Sequence, residues 1–445
     1  MNTKRIIGNY WIKSSILTIM QRLSVVFFGM GSYLILVRIM NKEEIGTWAL
    51  FLGISTTFEL TKTALLKNGI ITFYHTTNKK SEVLSSGLVL NFAYSIISII
   101  LILLVGELIA RYLKSEELST MLRIYIISIL LLVYFSHFEY IQQSNLSFIG
   151  SFASYTIRQG TFFLLILITF ILNRRTTLNE LVYFQNISLL LAVLTSFFLT
   201  RRFLNYKFFP RKKMIKDIFN YGKYIFTSGV LSNIFGNLDR YMIAGMINNT
   251  FVAYYDLSAR INNMIDVPTS ALADVLFPKS VIAERKEGKE KVKDLFEATT
   301  AGLVAMLIPI SILIIVFNKI IIKILAGNNY IQASSIIIVS MLYAFLRPIQ
   351  NQACNVLNSI NRPYITFRIN LIILILNIFF DYIFIRIFGY TGAAIGSLLV
   401  TVIGTNIATW ALHKYTGVNI FNIFNKSFSL YKNLILFKTL NFNKA

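Results

Sequence analysis

One cysteine, three histidines and six prolines are all that the 445 residues contain of those types. Cys354 has no partner for an intramolecular disulfide. His75, His137 and His413 lie far apart without ligand spacing, so neither a structural metal nor a redox centre is expected, and no cofactor. The sequence also lacks the glycine-rich phosphate loop ending in Gly-Lys-Ser or Gly-Lys-Thr, which excludes ATP hydrolysis by that route. Charge is scarce too: 14% of residues are charged against 55% hydrophobic, with mean hydropathy +0.63. That is too apolar for the surface of a soluble protein of this size and places the chain in a bilayer.

What is abundant is apolar sequence in long runs. A spanning helix needs roughly 20 mostly apolar residues. Runs of that kind occupy 14–37, 45–66, 83–105, 120–142, 153–173, 178–200, 221–247, 251–278, 296–317, 333–357, 364–386 and 391–412. The expected fold class is therefore all-α integral membrane, with about 12 transmembrane helices. The basic block "RRFLNYKFFPRKKMIKD" at 201–217 divides them into two sets of six. The expected organisation is an N-terminal lobe at 1–205, a linker at about 201–217, a C-terminal lobe at 218–413 and a basic tail at 414–445. An offset of 207 places "SYLILVRIMNKEEIGTWALF" over "DRYMIAGMINNTFVAYYDLS", a loose sign of a parallel repeat. Pro268, Pro309 and Pro348 fall inside predicted helices, where each is a candidate kink.

Acidic residues are fewer than basic ones, 20 against 43, giving a net charge of +23. In a soluble protein this would suggest nucleic acid. Here the lysines and arginines crowd into alternate loops, so membrane orientation accounts for them and no nucleic acid is expected. The positive-inside rule puts both termini in the cytoplasm, and the basic start with its apolar run reads as a retained first helix rather than a secretory signal.

A charge near the bilayer centre costs about 2.5–3.5 kcal/mol on insertion scales, so it faces a partner, the bundle interior or a wet cavity. At roughly 100° per residue, Asp256, Arg260, Asn263, Ser270 and Asp274 form one polar stripe on the eighth helix. On the seventh, Asn233, Asn237 and Arg240 share a face while Asp239 points elsewhere; on the first, Arg22 lines up with Thr18 and Gly29. The substrate-binding candidates are Arg22, Arg240, Arg260, Asn233, Asn237 and Asn263, and the ion-coupling candidates are Asp256, Glu59 and Asp274. Asp256 and Arg260, four apart, either neutralise each other or handle substrate or ion. Glu59 and Lys62 read as a local pair near the inner interface, and His137, Glu139, Arg158 and Arg347 are weaker candidates. Arginines in a partly dry cavity suit a phosphate-bearing ligand, because guanidinium groups fork onto phosphate.

Three stretches carry a resemblance to bacterial polysaccharide transporters of the O-antigen and capsule flippase type, within the multidrug/oligosaccharidyl-lipid/polysaccharide exporter superfamily: "VRIMNKEEIGTWAL" (37–50), "NLDRYMIAGMINNTFVAYYDLSARI" (237–261) and "FGYTGAAIGSLL" (388–399). Ala253 stands where that family usually has glycine before the tyrosine. The resemblance implies two pseudo-symmetric six-helix lobes around a central cationic cavity. It further implies an undecaprenyl-pyrophosphate-linked oligosaccharide as substrate, moved from the cytoplasmic to the outer leaflet of the inner membrane by alternating access. The driving force is either an ion gradient, with a proton or sodium as the candidate coupling ion, or consumption of the oligosaccharide by outer-leaflet polymerases. Membrane lipids and polysaccharide polymerase or glycosyltransferase machinery are the implied partners. The alternatives are an ion-coupled multidrug or other solute exporter of the same superfamily, a peptidoglycan-precursor flippase, and a membrane enzyme such as an O-antigen polymerase or ligase. The last needs a large external loop, and none of that size stands between the apolar runs.

Overall fold

The computed structural model describes residues 3–204 and 206–442, with side chains from Ile16 to Lys432 except at positions 205, 270, 271, 274, 275, 277, 278 and 285. Every regular element among the described residues is helical. In chain order these are α1 (Thr3–Ile39), α2 (Lys42–Thr76), α3 (Lys80–Tyr112), α4 (Glu116–Ser144), α5 (Phe148–Ile171), α6 (Leu178–Thr200) and α7 (Lys212–Met246). Then follow α8 (Asn249–Lys286), α9 (Lys289–Ala326), α10 (Ser334–Ala344), α11 (Arg347–Ser359), α12 (Pro363–Phe388), α13 (Thr391–Thr416) and α14 (Ile420–Phe442). Each of the twelve predicted spans falls on one of these helices, or on the α10–α11 pair. The chain forms a multi-pass membrane protein.

Local chemistry sets where the helices start and stop. Thr177 and Glu180 exchange bonds at the head of α6, Glu180 N–H to Thr177 Oγ1 at 3.3 Å and Thr177 N–H to Glu180 Oε2 at 3.0 Å, which satisfies two donors the helix leaves unpaired. Gly417 ends α13 at φ 73°, a left-handed conformation that disfavours a Cβ. The span expected at 333–357 is two helices, α10 and α11, bent by 45° across residues 345 and 346. Pro348 accordingly begins α11 instead of kinking a helix interior, because at the first turn its missing N–H costs no intrahelical bond. Pro309 does lie inside α9.

Among the described residues, eight helices are long and apolar enough to cross a membrane, or nine if α10 and α11 count as one span. The helices that do not meet that test include α2, α7 and α8, which carry most of the charged candidates. Such helices need neighbours to shield them from lipid. The shielding helices show it in their outer faces: Phe27 of α1 and Leu104 of α3 are both 70% exposed, positions that lipid would cover.

Contacts divide the chain into two compact units, 1–253 and 254–445. In the first, α1 packs on α5, α5 and α4 on α6, α3 on α4, and α2 on both α4 and α7. The predicted linker, 201–217, lies inside this unit, and α7 is grouped with it through its packing along α2. In the second unit, α12 and α13 pair along their lengths, α13 also meets α10 and α11, and α9 meets α10, α11 and α14. The helix α14 occupies the region read from sequence as a basic tail. It is clamped to α9, where Glu297 accepts from Lys426 Nζ at 2.7 Å and from the Asn419 N–H at 3.2 Å. Ser427 Oγ bonds the Ala301 carbonyl at 2.9 Å, and the Tyr431 hydroxyl bonds that of Ala305.

Candidate functional site

In the first unit, α7 lies directly on the backbone of α2. A Cβ on Gly222 would sit 1.8 Å from the Leu65 carbonyl oxygen, and one on Gly53 would sit 3.0 Å from both Asn237 Oδ1 and the Tyr241 hydroxyl. Small residues permit this approach where packing, rather than water exclusion, holds helices together. The approach fixes the polar run of α7. Asn233 Nδ2 donates to the Gly229 carbonyl at 2.8 Å and Asn237 Nδ2 to the Asn233 carbonyl at 3.0 Å. Asn237 Oδ1 is thereby turned to accept from Arg240 Nη1 at 3.1 Å, and the same nitrogen reaches the Gly236 carbonyl at 3.2 Å. Asn233, Asn237 and Arg240 therefore form one hydrogen-bonded run along α7 that steadies the guanidinium. Arg22 is exposed on α1.

Behind α7, the interior of the first unit carries a network of charges on α2, α4 and α5. Glu59 does not pair with Lys62 as its spacing of three suggested. Arg158 of α5 takes both its oxygens, at 2.6 and 2.9 Å. The reason is shape: a planar guanidinium matches a carboxylate with two parallel bonds, whereas an ammonium offers a point charge. Lys62, only 2% exposed, instead donates a hydrogen bond from Nζ to the Leu132 carbonyl of α4 at 2.9 Å. One turn or two further along, Glu139 accepts from Lys67 at 3.4 Å, Gln143 at 2.9 Å and the Tyr155 hydroxyl at 3.1 Å. Arg158 also lies 5.5 Å from the Phe135 ring centre.

In the second unit, Arg260 Nε bonds Asp256 Oδ2 at 2.8 Å one turn back along α8, and the Asp256 side chain is 5% exposed. Asn263 is exposed on the same helix. The side chain of Asp274 lies outside the described residues. Further along α8, Asp266 pairs with Arg347 at 2.9 Å.

The sequence reading passed over Asp381, which is fully buried in α12. Asn377 Nδ2 donates to its Oδ2 at 3.1 Å, and Gly396 of α13 is pressed so close that a Cβ there would sit 2.3 Å from Oδ1. The available signal was an aspartate four residues after an asparagine inside an apolar span, a rare and costly placement. Gly396 belongs to the "FGYTGAAIGSLL" stretch, so that motif is tied to a buried carboxylate. Among the described residues no group of three His, Cys, Asp or Glu side chains is placed to hold a metal ion.

A profile of polysaccharide biosynthesis proteins matches residues 35–335, more than half of the chain. The chain belongs to the polysaccharide biosynthesis protein family. Its matched region runs from the end of α1 to α10 and so includes the Asn233–Asn237–Arg240 run, the Glu59–Arg158 pair and the Asp256–Arg260 pair. A probable low-salt glycan biosynthesis flippase of Haloferax volcanii is 22% identical over 209 residues, covering 47% of this chain and 44% of that protein. The chain spans less than half the length of the curated relatives it matches. Among solved structures, the lipid II flippase MurJ in its inward closed conformation aligns with TM-score 0.74 at 16% identity, covering 96% of this chain and 93% of that one. An inward-facing multidrug resistance MATE family transporter of the MOP superfamily gives TM-score 0.74 at 14% identity, over 88% and 95%. These likenesses show a fold shared between transporters of different cargo.

Proposed function

We propose that this family member is a flippase that carries an undecaprenyl-pyrophosphate-linked oligosaccharide from the cytoplasmic to the outer leaflet of the bacterial inner membrane by alternating access, with both termini in the cytoplasm. The observation that carries the reading is Arg240, a guanidinium steadied by Asn237 on a helix too polar to face lipid. A pyrophosphate head offers the forked acceptors that guanidinium groups prefer. The name of the Haloferax relative, a probable glycan biosynthesis flippase, supports glycan flipping as the activity.

Within the second unit, Arg260 is a candidate phosphate contact in its own right, and its pairing with Asp256 suggests how an ion could be linked to transport. A substrate phosphate and the Asp256 carboxylate compete for one guanidinium. A proton or sodium on Asp256 would release Arg260 to the phosphate, so cation and substrate would bind cooperatively. Glu59 and Asp274 are the other candidates for that role. Polymerase or glycosyltransferase machinery would hand over and consume the glycan.

The test is binding of a polyprenyl-pyrophosphate lipid to purified protein. Arg240→Ala removes charge-assisted bonds of about 1.5–3 kcal/mol, so affinity falls about 10- to 150-fold, while Arg240→Lys keeps part of it. Unchanged affinity in Arg240→Ala, together with saturable transport of a cationic drug, would favour the multidrug exporter instead.

A further inference from the structure

The first unit holds an apolar cavity of about 470 Å³ between α2, α3 and α7, walled by Ile54 and Phe58, by Leu108 and Ile109, and by Ile234 and Tyr241. Its wall is almost wholly hydrocarbon, so water gains no partners inside it. Leu108, at its rim, is 63% exposed and continues the lipid-facing side of α3 that includes Leu101 and Leu104. Tyr112, which also lines it, lies against Gly245 of α7, where a Cβ would come within 2.9 Å of its ring.

We infer that this cavity seats part of the single isoprenoid chain of the lipid-linked substrate while Arg240 holds its phosphate. The inference rests on the proposed flippase function and adds a site for the tail. Two features select the occupant. The first is continuity: Asn237 Oδ1, which holds Arg240, and the Tyr241 hydroxyl, which edges the cavity, both lie against the same backbone position, Gly53. A ligand with an anionic head and a hydrocarbon tail bridges that short distance. The second is size: the volume is at the small end of ligand pockets and fits a segment of one hydrocarbon chain.

The experiment uses the full-length protein in nanodiscs with a polyprenyl phosphate bearing a diazirine in its isoprenoid chain. A phosphatidylglycerol with a diazirine in its acyl chain serves as the comparison. The prenyl probe labels the 108–113 segment, and unlabelled polyprenyl phosphate competes where phosphatidylglycerol does not. Ile109→Trp fills the cavity and lowers labelling about tenfold, the loss expected when roughly two methylene groups no longer find an apolar wall. Ile109→Ala widens the cavity and retains labelling, which separates filling from misfolding. Equal labelling by the phospholipid, or labelling unaffected by Ile109→Trp, overturns the tail site. If polyprenyl-pyrophosphate binding still depends on Arg240 in that case, the flippase reading stands without the tail site. Loss of that dependence removes the flippase reading as well.

Discussion

Replacing Arg158 with alanine leaves Glu59 with neither of its two guanidinium bonds, at 2.6 and 2.9 Å, on a helix that lies between α4 and α7. Both side chains are about one-fifth exposed, 21% for Arg158 and 23% for Glu59. Breaking such a pair by removing one partner costs about 3 kcal/mol, because the other charge stays in a low-dielectric site. At roughly 2–4 °C per kcal/mol for a unit of this size, Arg158→Ala should lower the melting temperature of the detergent-purified protein by about 6–12 °C. Glu59→Leu should cost a similar amount and strand the guanidinium instead. The double variant Glu59→Leu with Arg158→Met removes both charges and should recover most of the loss, as apolar replacements of buried pairs do. The cycle should therefore show coupling of about 2 kcal/mol or more. Single variants that each shift the melting temperature by less than about 1 °C would refute the claim that this pair ties α2 to α5.

Gly222→Ala places a methyl 1.8 Å from the Leu65 carbonyl; it should separate α7 from α2 and cost about 1–3 kcal/mol or more, seen as reduced folded yield, whereas Gly302→Ala, with open space around it, should leave yield unchanged. Lys426→Ala removes the 2.7 Å bond to the buried Glu297 carboxylate; limited proteolysis should then cut α14 faster than in the parent protein, and a second change, Glu297→Leu, should partly restore resistance. Asp381→Leu cannot accept from Asn377 and is too large beside Gly396; it should lose about 2–4 kcal/mol, against about 1 kcal/mol for the near-isosteric Asp381→Asn, by thermal unfolding.

Much of the fold was legible because hydropathy and length suffice to mark spans in a bilayer. Local pairs were legible for the same reason that helices are regular: Asp256 and Arg260 stand four apart and meet at 2.8 Å. Long-range partners were not. Glu59 had a nearby lysine by spacing, yet Arg158, 99 residues later, occupies both its oxygens, and nothing in one helix's periodicity names the helix that packs against it. The break between α10 and α11 was hidden in an apolar run of span length, with Pro348 marking a helix start rather than a kink. The helix α14 was obscured by its lysines, one of which, Lys426, meets a carboxylate on α9 instead of solvent alone. The polar run of α7 came from projecting a single helix; its hydrogen-bond order, with each asparagine bonded one turn back and Arg240 on the last, needed the coordinates.

On the proposed function, this chain moves a phosphate-bearing glycolipid across the membrane with Arg240 on its path. The most direct measurement is the leaflet distribution of lipid-linked oligosaccharide in cells lacking the protein, complemented with the parent chain or with Arg240→Ala at matched expression. The expected result is build-up in the cytoplasmic leaflet that the parent chain clears and Arg240→Ala does not. Normal outer-leaflet glycolipid in the deletion strain, with no redundant transporter present, would contradict it.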